Sequence, residues 1–92
     1  MRQVVGGLLI AAGLLALGPQ PADAQGGLCQ RLWVMRNTIY KQNGYCFNTP
    51  RGVRYFGNAG CQYDDVRQVP LSRNEQARIG EILAEERSLG CR

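Results

Sequence analysis

Residues 28–44 read LCQRLWVMRNTIYKQNG, and the spacing of their apolar side chains decides the fold. Leu28, Leu32, Met35 and Ile39 recur at i, i+4, i+7 and i+11, the stripe of an amphipathic helix. Cys29, Trp33, Arg36 and Tyr40 form a second stripe beside it. Asn43-Gly44 is a stop, because Gly44 takes the left-handed conformation after a helix without steric penalty. The pattern predicts a helix over 28–43. A second helix is announced by Ser72-Arg73-Asn74-Glu75, an S-x-x-E capping box just behind Pro70. Ile79, Ile82, Leu83 and Leu89 supply its apolar face, and Gly90 ends it, giving a helix over 72–89.

The middle, 45–71, has no helical period. Tyr45-Cys46-Phe47 and Val53-Arg54-Tyr55-Phe56 are β-prone, and Asn48-Thr49-Pro50-Arg51-Gly52 between them reads as a turn. The expected fold is a small α+β or mainly α domain: two antiparallel helices bridged by an aromatic loop or short β-hairpin.

Ahead of the first helix, Arg2 gives a positive start and 4–17 is an uncharged apolar run. Pro19 and Pro21 break it, and Ala22-Asp23-Ala24 has the small-x-small pattern that signal peptidase accepts. The run is 14 residues, short of the roughly 20 that span a bilayer. The expectation is a signal peptide over 1–24, cleaved after Ala24, with a single domain over 25–92 that is periplasmic or secreted and has no membrane span. A domain of 68 residues buries only about 60% of its unfolded surface, so a covalent staple is expected.

All four cysteines, Cys29, Cys46, Cys61 and Cys91, lie in that domain. An even count in a small exported domain reads as two disulfides. If the helices pack antiparallel, Cys29 at the start of the first meets Cys91 at the end of the second. Cys46 and Cys61 are then left together at the other end, flanking the aromatic loop. The expected pairs are Cys29–Cys91 and Cys46–Cys61.

A metal site fits poorly: there is no C-x-x-C, no histidine, and gaps of 16, 14 and 29 residues between cysteines. No cofactor is expected. Catalysis also fits poorly, since no histidine can act as base and the serines and threonines have no base partner in a recognisable motif. Asp64-Asp65 are adjacent on an extended stretch and point to opposite sides, which suits a solvated turn better than shared chemistry. The net charge is +4, but the basic residues are scattered and no nucleic-acid motif is present, so no nucleic-acid partner is expected.

The candidate ligand site is the Cys46–Cys61 loop with its flanks: Tyr45, Arg51, Arg54, Tyr55, Phe56 and Tyr63. Aromatic faces and arginine forks together can hold sugar rings and carboxylates, although aromatics also make up the cores of tiny domains. Arg36 faces the expected partner helix, where a guanidinium needs an acid; Glu75 or Glu86 can supply it.

Leu32-Trp33, Arg36-Asn37, Ile39-Tyr40, Gly44 and Phe47, followed by Tyr55-Phe56, Tyr63 and the 71–75 run that opens the last helix, resemble the signature of the YARHG domain family. The family's Ala-Arg-His is replaced by Lys41-Gln42-Asn43, and its later Trp-Tyr by Gln62-Tyr63. Trp33, Arg36, Asn37, Tyr40, Gly44, Ser72 and Glu75 are read as structural positions. The resemblance implies an exported, non-catalytic envelope module. The expected partner is a cell-wall component, peptidoglycan or another glycan; the alternative is an interaction or inhibitor module acting on an envelope protein.

Overall fold

The computed structural model describes residues 22–92, as three helices and one 3-10 turn. Helix α1 is Ala22–Gln42, α2 is Pro50–Phe56, the 3-10 turn is Val66–Gln68 and α3 is Arg73–Leu89. The expected leader lies outside the described residues except for 22–24, which fall in the first turn of α1. Helix α1 is thus already formed at Ala22, six residues before the expected 28. Nothing in Gln25-Gly26-Gly27 breaks the chain strongly enough to stop a helix whose later turns are held by packing.

Three crosslinks set α1 and α3 antiparallel. At one end Cys29 is bonded to Cys91, with Cα atoms 5.5 Å apart. Midway, Arg36 Nε and Nη2 donate to the two carboxylate oxygens of Glu86 at 3.0 and 3.2 Å. At the far end Asn43 Nδ2 donates to Glu75 Oε2 at 3.0 Å. Cys29, Arg36 and Asn43 are seven residues apart in turn, so they fall on one line of α1. Ile79, Ile82 and Glu86 are the buried residues of α3, and Leu32 is buried on α1. Leu83 and Leu89, expected on the same apolar face, are half-buried. The capping box forms as expected: Ser72 Oγ accepts from the Glu75 amide at 3.0 Å, and Glu75 Oε1 accepts from the Ser72 amide at 2.9 Å. Gly90 closes α3 in the left-handed conformation.

Helix α1 uses a second face for α2. Gln30, Trp33 and Lys41 all contact α2 or its C-terminal cap, and they follow one another at helical spacing with the buried Asn37 between them. Of the apolar stripe read from sequence, Leu32 is buried and Ile39 half-buried. Leu28 and Met35 point outward, 39% and 38% exposed, while the polar-looking line through Cys29, Arg36 and Asn43 carries the α3 contacts.

The expected hairpin is absent: among the described residues there is no strand, only one parallel bridge between Tyr45 and Tyr63. In it the Cys46 amide donates to the Tyr63 carbonyl at 2.7 Å and the Tyr63 amide to the Gly44 carbonyl at 3.0 Å. Pairing stops there because Asn58 occupies the next residue. Its side-chain Oδ1 accepts from the Phe47 amide at 2.7 Å and its Nδ2 donates to the Phe47 carbonyl at 2.8 Å, as a neighbouring strand would. The β-prone run 53–56 is helical because of what precedes it. Thr49 caps α2, accepting from the Gly52 amide at 3.1 Å, and Pro50 sits at the first helical position, where its fixed φ suits a helix and its missing N–H is not needed. Lys41 Nζ donates to the Gly57 carbonyl at 3.1 Å, just past the C-terminus of α2.

Two glycines are required by contact. Gly44 has φ +92, and a Cβ there would stand 3.3 Å from the Tyr63 ring. Gly52 is buried on the Phe47 ring, where a Cβ would come within 2.8 Å of Phe47 Cδ1. The second disulfide, Cys46–Cys61, closes the loop carrying α2, with Cα atoms 5.1 Å apart. Both pairings agree with the sequence expectation.

Candidate functional site

Six of the seven aromatic side chains, all but Tyr63, form one continuous chain of ring contacts. Trp33 of α1 meets Tyr55 edge-on and Phe56 at a tilt, both with centroids 5.6 Å away. Phe56 stacks on Phe47 at 4.8 Å with planes 10° apart. Phe47 meets Tyr45 at 4.9 Å, and Tyr45 meets Tyr40 at 5.8 Å. Phe47 is buried and Phe56, Tyr45, Tyr40 and Trp33 are half-buried. This part of the chain is the hydrophobic filling of the α1–α2 junction.

At its outer end the chain reaches solvent. Tyr55 is 55% exposed. The Arg51 guanidinium carbon lies 3.8 Å above the centre of the Trp33 ring, a cation–π contact worth about 0.5–1 kcal/mol at an exposed position. Arg51 Nη2 also donates to Gln30 Oε1. Arg51, Arg54 and Tyr55 are spaced i, i+3 and i+4, so α2 presents them on one side, while Gly52 and Phe56 pack inward.

The six expected site residues therefore divide. Arg51, Arg54 and Tyr55 are brought together on an exposed face, with Phe56 packed behind them against Trp33. Tyr45 and Tyr63 pair through the backbone bridge on the other side of the junction, half-buried, with the Tyr63 ring against Gly44. Trp33, read from sequence as a structural position, belongs to the exposed end of the cluster as well, because it carries Arg51. Gln30 was not singled out, yet the Gln30-Trp33-Asn37-Lys41 spacing would have marked this face. Asn58 and Gly52 had no sequence signal: a clamp on the Phe47 backbone and a close ring contact are visible only in three dimensions.

Arg36 pairs with Glu86, one of the two acids anticipated; side-chain exposures of 22% and 10% make this a partly desolvated pair. Asn37 is buried, and its Nδ2 donates to the Trp33 carbonyl at 2.9 Å. Glu75 is held below the usual carboxylate range, first by the Ser72 amide and then by the Asn43 side chain. Asp65 caps the 3-10 turn through the Arg67 amide at 2.9 Å, and the Arg67 guanidinium at 2.8 Å holds its carboxyl low. That is a turn-forming role. Among the described residues there is no group of side chains arranged to hold a metal, and no helix is long and apolar enough to cross a membrane.

Residues 7–87 match the family model of the YARHG domain. The chain belongs to the YARHG domain family. YARHG domains are extracellular and envelope domains and are generally non-catalytic modules. Both disulfides and this membership fit an extracellular or periplasmic location. Searches of curated proteins and of solved structures returned no match. The YARHG signature positions Trp33, Arg36, Asn37 and Tyr40 all lie on the two packed faces of α1. Where the YARHG signature carries Ala-Arg-His, this chain has Lys41, which reaches the α2 C-terminus, exposed Gln42, and Asn43, which joins α1 to α3 through Glu75.

Proposed function

We propose that this YARHG domain is exported, freed from its leader after Ala24, and acts as a non-catalytic module that binds a cell-wall glycan. Cleavage after Ala24 removes three residues from the first turn of α1 and leaves every side-chain contact described above intact, since the first of them is made by Cys29. Intact-mass measurement of the exported protein checks the cleavage site; a species retaining 1–24 refutes it.

The observation that supports glycan binding is the exposed Tyr55 ring beside the Trp33-mounted Arg51. An aromatic face stacks on the apolar side of a sugar ring, and an adjacent guanidinium donates paired hydrogen bonds to its oxygens. The site is presented by a helix held between a disulfide loop and α1, which limits the ordering needed on binding. Co-sedimentation of the oxidised protein with purified peptidoglycan sacculi tests the reading. Retention that falls in Tyr55→Ala, with an unchanged circular dichroism spectrum, supports it.

A second reading draws on Val53, 44% exposed on another side of the same helix. An exposed aliphatic on that side also suits contact with an envelope protein. No retention on sacculi, together with a Val53-dependent complex with an envelope protein, would favour that reading over the first.

A further inference from the structure

Between Ala24 and Tyr63 the chain contains no acidic residue; its cations there are Arg31, Arg36, Lys41, Arg51 and Arg54. Every acid after Asp23 lies in 64–92. Only Arg36 of those five cations has an acidic partner, Glu86; the other ion pairs among the described residues, Arg67–Asp65 and Arg78–Glu81, lie wholly within the acid-bearing part. The fold thus leaves the α1–α2 junction with unneutralised positive charge on the same side as its exposed aromatic.

Arg51 and Arg54 differ in how they are held. Arg51 is fixed from two directions, by the Trp33 ring beneath its plane and by Gln30 at one Nη. A guanidinium so placed keeps its planar fork oriented and loses little freedom on meeting an oxyanion. Arg54 is exposed, one helical turn along the same side, with no hydrogen-bond or ionic partner among the described residues. Together they offer one oriented and one unpartnered guanidinium beside Tyr55.

From this arrangement we infer that the ligand is an anionic glycan, whose carboxylate or phosphate groups are taken by Arg51 and Arg54 while Tyr55 stacks on a sugar ring. The inference rests on the glycan reading above and adds the charge. Arginine is suited to it because its fork matches both carboxylate and phosphate geometry. A glycan is favoured over a nucleic acid because the family is extracellular and the fold carries two disulfides, both of which belong to an oxidising compartment.

The test is binding of the oxidised full chain to three soluble polysaccharides: polygalacturonate, a phosphomannan and neutral dextran, with single-stranded DNA as a further probe. The expected result is binding to an anionic polysaccharide above dextran, weakened by added salt. Arg54→Gln should weaken it about fivefold, the effect of one exposed charge pair, and Arg54→Lys should restore only part of the loss, returning the charge without the fork. Preference between polygalacturonate and phosphomannan identifies the oxyanion. Equal binding to dextran overturns the charge inference and leaves the glycan reading standing. Tighter binding to DNA than to either anionic polysaccharide overturns the inference. Failure on all the polysaccharides overturns it too, and retention on sacculi then decides separately whether the glycan reading survives.

Discussion

Arg36 and Glu86 show how much a single pair can matter in a domain with a small interior. Glu86 is one of the few buried polar residues described, and both its oxygens are taken by the Arg36 fork. Arg36→Met should destabilise the fold by about 3 kcal/mol, because Glu86 is left buried without its cation. Thermal melts check this, and pairing the change with Glu86→Leu should recover much of the loss, since two apolar side chains leave nothing uncompensated. An unchanged melting temperature in Arg36→Met with lost ligand binding would transfer the residue to the binding surface. Gly52 gives a prediction of opposite sign to helix propensity. Alanine is the better helix former by roughly 1 kcal/mol in an open helix. Here its Cβ would press into Phe47, so Gly52→Ala should lower stability by about 1–3 kcal/mol, measured by denaturant unfolding.

Among the elements, α3 was legible in full. A serine, a glutamate three residues on, a periodic apolar run and a glycine are local signals, and each forms as read. Ser72→Ala should therefore cost about 1 kcal/mol in thermal melts. Glu75 adds a pH dependence. Its carboxyl is depressed in the fold, so its contribution is present above the unfolded value and disappears as pH falls through the folded one. Melting temperature should accordingly drop on acidification below the ordinary glutamate range, and Glu75→Gln should flatten that part of the profile. Helix α1 was legible in kind, and Arg36 faces the partner helix as read. Its apolar stripe is only partly inside, with Leu32 buried but Leu28 and Met35 exposed, and Asn43, read only as part of the helix stop, adds a contact to α3 that apolar periodicity does not reveal. Helix α2 was misread as strand because Val53, Tyr55 and Phe56 favour strands individually. The Thr49-Pro50 start outweighs them, and that cap was present in the sequence. The exposed half of the candidate site followed from the same misread segment: Arg51, Arg54 and Tyr55 were named, but only the helix brings them to one side.

For the molecule as a whole, the two crosslinks divide the work unequally. Cys29–Cys91 spans 62 residues and Cys46–Cys61 spans 15. On the chain-entropy model they stabilise by about 4 and about 3 kcal/mol, together comparable with the entire stability of a small domain. Replacing Cys29 and Cys91 by serine should be the more damaging change in denaturant titrations, and reduction of both bridges should leave the chain largely unfolded at physiological temperature. The pairing itself was legible because antiparallel helices bring the first and last cysteines to one end, which needed only the two long helices to be right. That geometry has a mechanical consequence. A pull applied through the segments before Cys29 and after Cys91 passes along the sulfur bridge and never reaches the residues between. Under tension the stretch between these two cysteines behaves as a rigid link, lengthening only when a reductant opens that bond. Force spectroscopy with and without reductant would show a single, redox-gated extension.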